Sequence, residues 1–393
     1  MRRLYLYTYY ACFLMKKKSF ILYKKIEDKT IVWFEKSNNY IVLENTAAAI
    51  LKKINKGITV LEIAASLSKK IELPLAQTID FILDLEKRIY QPKNNSESEI
   101  AFDSRDLTLP KHFNYTKFYK VNNVVFKVSY LNERDLTLVH LIFEHLAIGT
   151  SEKSDYEFNV FTQNSITYLF VEKELIGAWS NKDIHYFQGK FSMQLVQKIH
   201  QKEEDEWLGV FHASAVGNGK KAILFLGDSG NGKSTSLALL QAHGYSCIAD
   251  DFVPIDFKNQ EVYSFPGAIS VKKNSLKTLL PLYPELKDAT EYNLKQLNKI
   301  VRYLKPNNKN FSTHLPCRDL VFIKYKKNAE ISCKKITKID AFQQLVPDSW
   351  LSPIKENAKV FLDWFESLNS YQLTYSDNNE MLAEVSKLFN DEL

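Results

Sequence analysis

One glycine-rich octapeptide limits the folds open to this chain more than any other segment. Residues 227–234 read GDSGNGKS and satisfy the pattern G-x-x-x-x-G-K-[ST]; we call them the glycine loop. The apolar run Lys221–Leu226 before it is typical of a buried parallel strand, and Lys233–Ala242 has the length and leucine spacing of a helix. Strand, loop and helix in this order predict an α/β domain that binds the phosphates of a nucleotide.

The residue types within the glycine loop suit phosphate binding. Glycines permit positive φ and let backbone N–H groups approach phosphate oxygens more closely than any side chain would allow. We expect Lys233 to reach the β- and γ-phosphates and the hydroxyl of Ser234 to bind Mg²⁺. A glycine-rich turn without a ligand is the alternative. The predicted nucleotide contacts are Gly227, Asp228, Ser229, Gly230, Asn231, Gly232, Lys233, Ser234 and Thr235.

Two consecutive carboxylates follow the next predicted strand. The run Tyr245–Ala249 leads directly into Asp250 and Asp251. A right-handed β-α-β crossover would bring the C-terminal ends of both strands to one edge of the sheet, beside the loop. There the acids can bind a metal or accept a hydroxyl proton, and as neighbours on an extended strand they should point to opposite faces and differ in role. Solvated acids in a turn are the alternative.

A histidine lies ahead of the loop strand. The run Phe211–Val216 is predicted to pair with that strand through the turn Gly217–Gly219, which would bring His212 back towards the glycine loop. A lone histidine is more often structural than catalytic, so the residues alone leave both roles open.

Four short segments together carry a resemblance to a known family. They are His212-Ala-Ser, residues 226–234, His243-Gly-Tyr and Ala249-Asp-Asp251. The sequence resembles the catalytic domain of HPr kinase/phosphorylase, a P-loop fold related to phosphoenolpyruvate carboxykinase, strongly over residues 210–255 and fading after about residue 275. The resemblance implies transfer of phosphate from ATP to a serine of a protein. It also implies Asp250 as the base, Asp251 as a metal-linked residue and His212 as a catalytic residue near the phosphates. Lys233, as a catalytic residue, and Ser234, as a metal ligand, follow from the glycine loop itself.

The sequence departs from that family at two places. Thr235 stands where the family commonly has an acid, and the later glutamate and arginine signature is not recognisable within residues 256–300. Phosphorylase activity is therefore not expected. The nearest candidates for a basic group that would neutralise transition-state charge are Lys272, Lys273 and Arg302, with Pro266-Gly267 close by.

A second resemblance covers about sixty residues near the N-terminus. Two apolar runs, Ile31–Phe34 and Tyr40–Leu43, predict a hairpin, and helical patterns follow it. Tyr40–Ile50, Gly57–Ala64 and Asp84-Leu85 resemble the PqqD family. That resemblance implies a winged-helix-like unit whose β edge binds the leader of a ribosomally made precursor peptide. A small helical adaptor, or a structural relic without a ligand, is the alternative.

These observations predict five consecutive parts. Residues 1–29 would be a basic leader or an upstream start-site artefact, and residues 30–92 the PqqD-like domain. The polar segment 93–99 would be a linker. A β-rich middle region, 100–205, would pack on the HPr kinase-like domain, 206–393.

Composition excludes several other classes of protein. The net charge is +6, and residues 1–30 hold eight Lys or Arg against two acids, so the remainder is neutral and argues against a nucleic-acid binder. The four cysteines lack zinc spacing, and no run of eighteen apolar residues predicts a membrane span. We expect a cytoplasmic protein, and a homo-oligomer is left open.

The leading hypothesis is an ATP-dependent serine kinase of the HPr kinase-like class that phosphorylates a precursor peptide recruited through its leader. A small protein substrate, as for an HPr-type kinase in carbon regulation, is one alternative. A non-catalytic switch that presents a peptide in response to nucleotide is another.

Overall fold

A computed structural model describes residues 19–71, 73–94, 108–151, 153–294 and 299–392. The chain forms two compact units, residues 1–98 and 99–393, and each combines helices with β-sheets. The mixed α/β class expected from the sequence is therefore confirmed. Residues 1–18 of the expected basic leader and residues 95–99 of the expected linker lie outside the described residues.

The first unit is a three-stranded antiparallel sheet, in the order β1-β2-β3, followed by helices. β1 precedes residue 30, where the sequence suggested that this unit starts. The hairpin prediction missed this strand because its residues alternate poorly between apolar and polar. The elements are β1 (Ile21–Ile26), β2 (Lys29–Phe34), β3 (Asn39–Glu44), α1 (Asn45–Asn55), α2 (Val60–Ile71), α3 (Leu75–Leu85), a π-helical turn (Glu86–Tyr90) and α4 (Gln91–Asn94).

Local sequence explains how helices of this unit begin. Thr59 and Glu62 form a capping box ahead of α2, with Thr59 N donating to Glu62 Oε2 at 2.9 Å and Glu62 N donating to Thr59 Oγ1 at 3.3 Å. α1 begins without a side-chain cap at its N-cap residue, Glu44, and the side chain of Asn45, the first helical residue, accepts from Thr30 Oγ1 and donates to the carbonyl of Asp28. The helices bury one apolar face in a core that includes Val32, Phe34, Ile50, Leu51, Ile63 and Ile82.

The second unit opens with a six-stranded sheet in the order β6-β4-β5-β7-β8-β9. Only the β5-β7 pair is parallel. Its elements are β4 (Tyr115–Val121), β5 (Val124–Tyr130), α5 (Glu133–Phe143), β6 (Ala147–Ile148), β7 (Tyr156–Gln163), β8 (Ile166–Val171), β9 (Glu174–Ser180) and α6 (Ile184–His200).

A ten-stranded sheet forms the rest of this unit, together with a small sheet ordered β16-β18-β17. The elements are β10 (Trp207–Phe211), β11 (Ser214–Gly217), β12 (Ala222–Leu226), α7 (Lys233–Ala242), β13 (Ser246–Asp250), β14 (Val253–Asp256), β15 (Glu261–Tyr263), β16 (Ile269–Lys272), α8 (Leu276–Leu279), β17 (Tyr292–Leu294), β18 (Lys299–Leu304), β19 (His314–Tyr325), β20 (Ser332–Lys335), α9 (Lys338–Leu345), β21 (Ser349–Leu351), α10 (Lys355–Ser367), β22 (Asn369–Tyr375) and α11 (Asn378–Phe389).

The long strand β19 joins the two halves of the ten-stranded sheet. Residues 314–316 pair with β15, which leads through β14 and β10 to β21. Residues 317–322 run parallel to β12, and residues 319–325 run parallel to β22. β11 lies between β12 and β13 and is antiparallel to both. β12 and β13 are therefore parallel to each other, and both end at the edge where the glycine loop begins.

None of the described helices combines the length and the apolar character needed to cross a lipid bilayer.

Two neighbouring residues of α3 provide a test of this packing. Ile82 is 0% exposed and Phe81 is 47% exposed. Ile82→Ala should lower the unfolding free energy of the first unit by about 2–5 kcal/mol, because it leaves a cavity in the core. Phe81→Ala should change it by less than about 0.5 kcal/mol. Hydrogen exchange of the α3 amides in the full chain measures both, and equal protection in the two variants would contradict the described core.

Candidate functional site

The glycine loop connects β12 to α7 with the backbone geometry that its glycines were expected to provide. Gly227, Gly230 and Gly232 have φ values of 131°, 98° and 104°. A Cβ on Gly227 would lie 2.9 Å from the carbonyl oxygen of Ile323, so the loop strand approaches β19 too closely for a side chain. Asp228, Ser229 and Gly230 form the exposed tip. The loop therefore leads through glycines of positive φ into the start of α7 and leaves its tip exposed.

Lys233 lies inside this turn rather than in solvent. Its side chain is 6% exposed, and Nζ donates to the carbonyl oxygen of Gly227 at 2.5 Å. Burial lowers the pKa of Lys233, while the negative charges of Asp251, Asp250 and Asp348 oppose that decrease. The ammonium group thus spans the loop and stands among carboxylates, where an anionic oxygen could take the place of the Gly227 carbonyl.

Asp250, the last residue of β13, connects three separate elements through one buried carboxylate. It is 3% exposed. Oδ1 accepts from Ser214 Oγ at 2.5 Å and from Ser234 Oγ at 3.1 Å, and Oδ2 accepts from the Ser270 backbone N–H at 3.1 Å. These donors come from β11, α7 and β16. The acid that the sequence placed beside the loop is therefore in direct contact with the first turn of the loop helix.

Asp251 does not continue the strand, which corrects one expectation. Its φ is +61°, in the left-handed region, and the residue is half-buried in a bend between β13 and β14. The alternation of side chains along an extended strand therefore does not apply to the pair. Aspartate tolerates this conformation better than most residues. Asp251 and Asp250 still differ in surroundings, because the chain turns between them.

His212 lies at the same edge, where the chain passes from β10 to β11. It is exposed, and the expected hairpin is shorter than predicted, since only Ser214–Gly217 pairs with β12. Phe211 is opposite Val253 in β14 and opposite Ser349 in β21. His212 is therefore flanked by the bend that carries Asp251 on one side and by the residue preceding Ser349 on the other.

That preceding residue, Asp348, was missed by the sequence reasoning. It is exposed, it follows α9 and precedes β21, and its charge acts on Lys233. No local pattern marks it, because it lies more than a hundred residues beyond the glycine loop and reaches the site only through the pairing of β21 with β10. It adds a carboxylate to the edge defined by His212 and Asp251.

Of the basic candidates, Lys272 is the one that contacts the glycine loop. It ends β16, and its Nζ donates to Ser229 Oγ at 2.6 Å. Its charge also contributes to the lowered pKa of Lys233. Arg302 instead donates to the carbonyls of Leu286 and Lys287, and Lys273 is exposed. Pro266-Gly267 lies beside α5, where Ala268 N donates to the Ile142 carbonyl at 2.9 Å.

Thr235 stands where the family that the sequence resembles commonly has an acid, and here it contacts a neutral side chain. Its Oγ1 lies 2.6 Å from Ser275 Oγ, just before α8. The next residue, Ser236, is buried with its Oγ 3.0 Å from Tyr375 OH. Hydroxyl pairs therefore fix the first turn of α7 on two sides. Among these side-chain contacts of Ser234, Thr235 and Ser236, Asp250 is the partner that carries a negative charge.

The donor set suits magnesium better than a soft metal. Among the described residues, no three His, Cys, Asp or Glu side chains converge as a metal site. A metal would depend on Ser234, one or two aspartates and ligand oxygens, which is how Mg²⁺ is commonly held. Cys247, Cys317 and Cys333 are free thiols, and the first two are buried.

A scan against protein-family models finds no match, and a search among curated proteins finds no significant relative. The interpretation of the site therefore rests on its residues and their geometry.

The network around Asp250 predicts a stability difference between two aspartates of the site. Asp250→Ala should lower the free energy of unfolding by about 1–3 kcal/mol, because Ser214 and the Ser270 N–H lose their buried acceptor. Asp348→Ala, at an exposed position, should change it by less than about 0.5 kcal/mol. Urea unfolding measures both. A larger loss at Asp348 than at Asp250 would be incompatible with the described contacts.

Proposed function

We propose that this chain is an ATP-dependent serine kinase of the HPr kinase-like class. In this proposal, residues 206–393 are a P-loop catalytic domain related in architecture to phosphoenolpyruvate carboxykinase, and the middle region, 100–205, packs on it. Residues 30–92 are a PqqD-like, winged-helix-like unit that recruits a ribosomally made precursor peptide in the cytoplasm.

The hydrogen bond between Ser234 Oγ and Asp250 Oδ1, at 3.1 Å, is the observation that carries this proposal. A P-loop serine joined to an acid at the end of a parallel strand brings a carboxylate beside the phosphates, where phosphoryl-transfer enzymes keep the groups that bind the metal or accept the proton of the attacking hydroxyl. A structural glycine turn would need neither the acid nor the buried Lys233 next to it.

The chemical roles follow from the positions of the side chains. The loop N–H groups, Lys233 and Lys272 would stabilise the phosphate charge, and Ser234 with Asp251 would hold Mg²⁺. When bound there, Mg²⁺ would neutralise charge on the transferred phosphoryl group. Asp250 would accept the serine proton as the serine oxygen bonds to the γ-phosphorus and the bond to the β–γ bridging oxygen breaks, releasing ADP.

His212 and Asp348 would line the acceptor side of the site. Both are exposed and lie at the edge where β10 and β21 meet, next to the bend of Asp251. An incoming peptide hydroxyl would therefore pass an imidazole and a carboxylate before reaching the phosphates, and these groups would orient it by hydrogen bonds.

The three-stranded sheet of the first unit supports the recruitment role. Within the part of the chain that the structure describes, β1 and β3 each pair with β2 alone. β3 presents half-buried apolar residues from Tyr40 to Leu43. A single extended segment could pair with its six residues and so add a strand to the sheet. An extended leader could bind this edge through main-chain hydrogen bonds, which is β-augmentation.

The first test of the proposal is direct phosphorylation. The purified chain with ATP, Mg²⁺ and the precursor peptide encoded beside its gene should add the mass of one phosphoryl group to a serine of the peptide. Asp250→Asn should lower kcat at least about 100-fold, the lower end of general-base catalysis, while ATP still binds. Mass spectrometry and calorimetry measure the two effects.

Two outcomes of that experiment oppose the proposal in different ways. Tight ATP binding without any phosphopeptide, unchanged by Asp250→Asn, would favour the peptide-presenting switch. Phosphorylation of an HPr-type protein but not of the peptide would favour a kinase of carbon regulation.

Recruitment by the first unit predicts a change in KM rather than in kcat. Removing the leader from the peptide should raise KM about 100-fold or more, because tethering no longer concentrates the serine at the site. Ile41→Pro in β3 should raise KM for the full peptide without altering kcat, since proline removes an N–H and disturbs the edge. Steady-state kinetics measure both parameters.

The leaderless peptide is the matched control, because its kinetics should be the same for the wild-type chain and for Ile41→Pro. If removing the leader leaves KM unchanged, the first unit does not recruit it.

A further inference from the structure

Tyr325 is an exposed aromatic side chain at the edge where the glycine loop lies. It is 49% exposed and ends β19, which runs parallel to β12 with Leu226 opposite Phe322. β19 therefore continues three residues past the point where the loop begins, about 10 Å at the usual rise of a strand. The ring stands beside the loop rather than beneath it.

The position of Tyr325 is fixed by contacts on two sides. Its backbone N–H donates to the Asn231 carbonyl of the loop at 3.0 Å. Its ring packs edge-on against Tyr375, with centroids 5.5 Å apart and planes at 73°. The Tyr375 hydroxyl in turn contacts Ser236 in α7. An exposed ring held in this way loses little conformational freedom when a flat ligand packs on it.

Close packing also places Tyr325 near the residue that opens the loop helix. A Cβ on Gly232 would lie 2.8 Å from Tyr375 OH and 3.7 Å from Tyr325 Cβ. The tyrosine is therefore adjacent to the backbone that would bind phosphates.

The order of the strands separates the two ends of a bound nucleotide. β11 and β13, which carry Ser214 and Asp250, lie on one side of β12, and β19 lies on the other. Because the transferred phosphate belongs beside Asp250, the nucleoside end is directed towards the β19 side of the loop. Tyr325 is the exposed large aromatic residue that the described strands place there.

We infer that Tyr325 forms the nucleobase subsite of this chain, with its exposed face stacked on the purine ring of the nucleotide. The inference rests on the proposed nucleotide binding and extends it to a residue that no phosphate motif contains. Stacking is tolerant of base identity, so the subsite supports affinity for purines without selecting adenine over guanine.

The test compares ligands with and without a base. Calorimetry with Mg²⁺ would measure binding of ADP and of inorganic pyrophosphate to the full chain, to Tyr325→Ala and to Tyr325→Trp. Tyr325→Ala should weaken ADP about 5- to 150-fold, the range for loss of one base–aromatic stack, and leave pyrophosphate unchanged. Tyr325→Trp should keep ADP affinity. Tyr186→Ala, at a 62% exposed tyrosine on α6, is the matched control and should affect neither ligand.

Failure of the inference differs from failure of the proposed function. If Tyr325→Ala leaves ADP binding unchanged, or weakens ADP and pyrophosphate equally, the base does not stack on Tyr325, although phosphate binding by the loop stands. Lys233→Ala should weaken both ligands together. If the wild-type chain binds neither ligand, the proposed nucleotide site and the subsite inferred from it are both wrong.

Discussion

The carboxylate of Asp250 is the interaction on which the candidate site depends. It receives hydrogen bonds from Ser214 of β11, Ser234 of α7 and the backbone of Ser270 in β16. A buried carboxylate is costly unless donors surround it, so the three elements stabilise the charge and the charge fixes the elements relative to one another. β16 then brings Lys272 to the loop tip. Chemistry and architecture thus depend on one side chain.

Short sequence patterns predict the parts of the structure that are formed by residues close together in the chain. The strand, glycine loop and helix around Gly232 are continuous in the chain, and each is specified by residue types with direct conformational consequences. The capping box of Thr59 and Glu62 is local in the same sense, because its two residues are three positions apart. The adjacency of Asp250 to Ser234 also followed, because the handedness of a β-α-β crossover leaves little choice.

The remaining features depend on pairings between distant segments, which no local pattern encodes. Asp348 reaches the site through the register of β21 with β10, and Lys272 arrives on a different sheet from the acids. The bend at Asp251 was unforeseen because aspartate gives no strong signal for a left-handed residue, unlike glycine. Tyr325 joins the site only through the parallel pairing of β19 with β12, which no local pattern predicts.

β19 pairs with strands of both halves of the ten-stranded sheet, and this limits the insertions and deletions that the sequence can accept in evolution. Its first residues pair with β15 and the others with β12 and β22, so β19 belongs to both halves of the sheet, and its pairing with β12 shifts by one residue between Cys317 and Asp319. Deleting a single residue between Asp319 and Tyr325, where the pairing with β22 runs without a shift, would turn every later side chain of the strand to the opposite face while leaving the earlier ones in place. Lineages should therefore accept length changes in the loops flanking β19 and reject them within it.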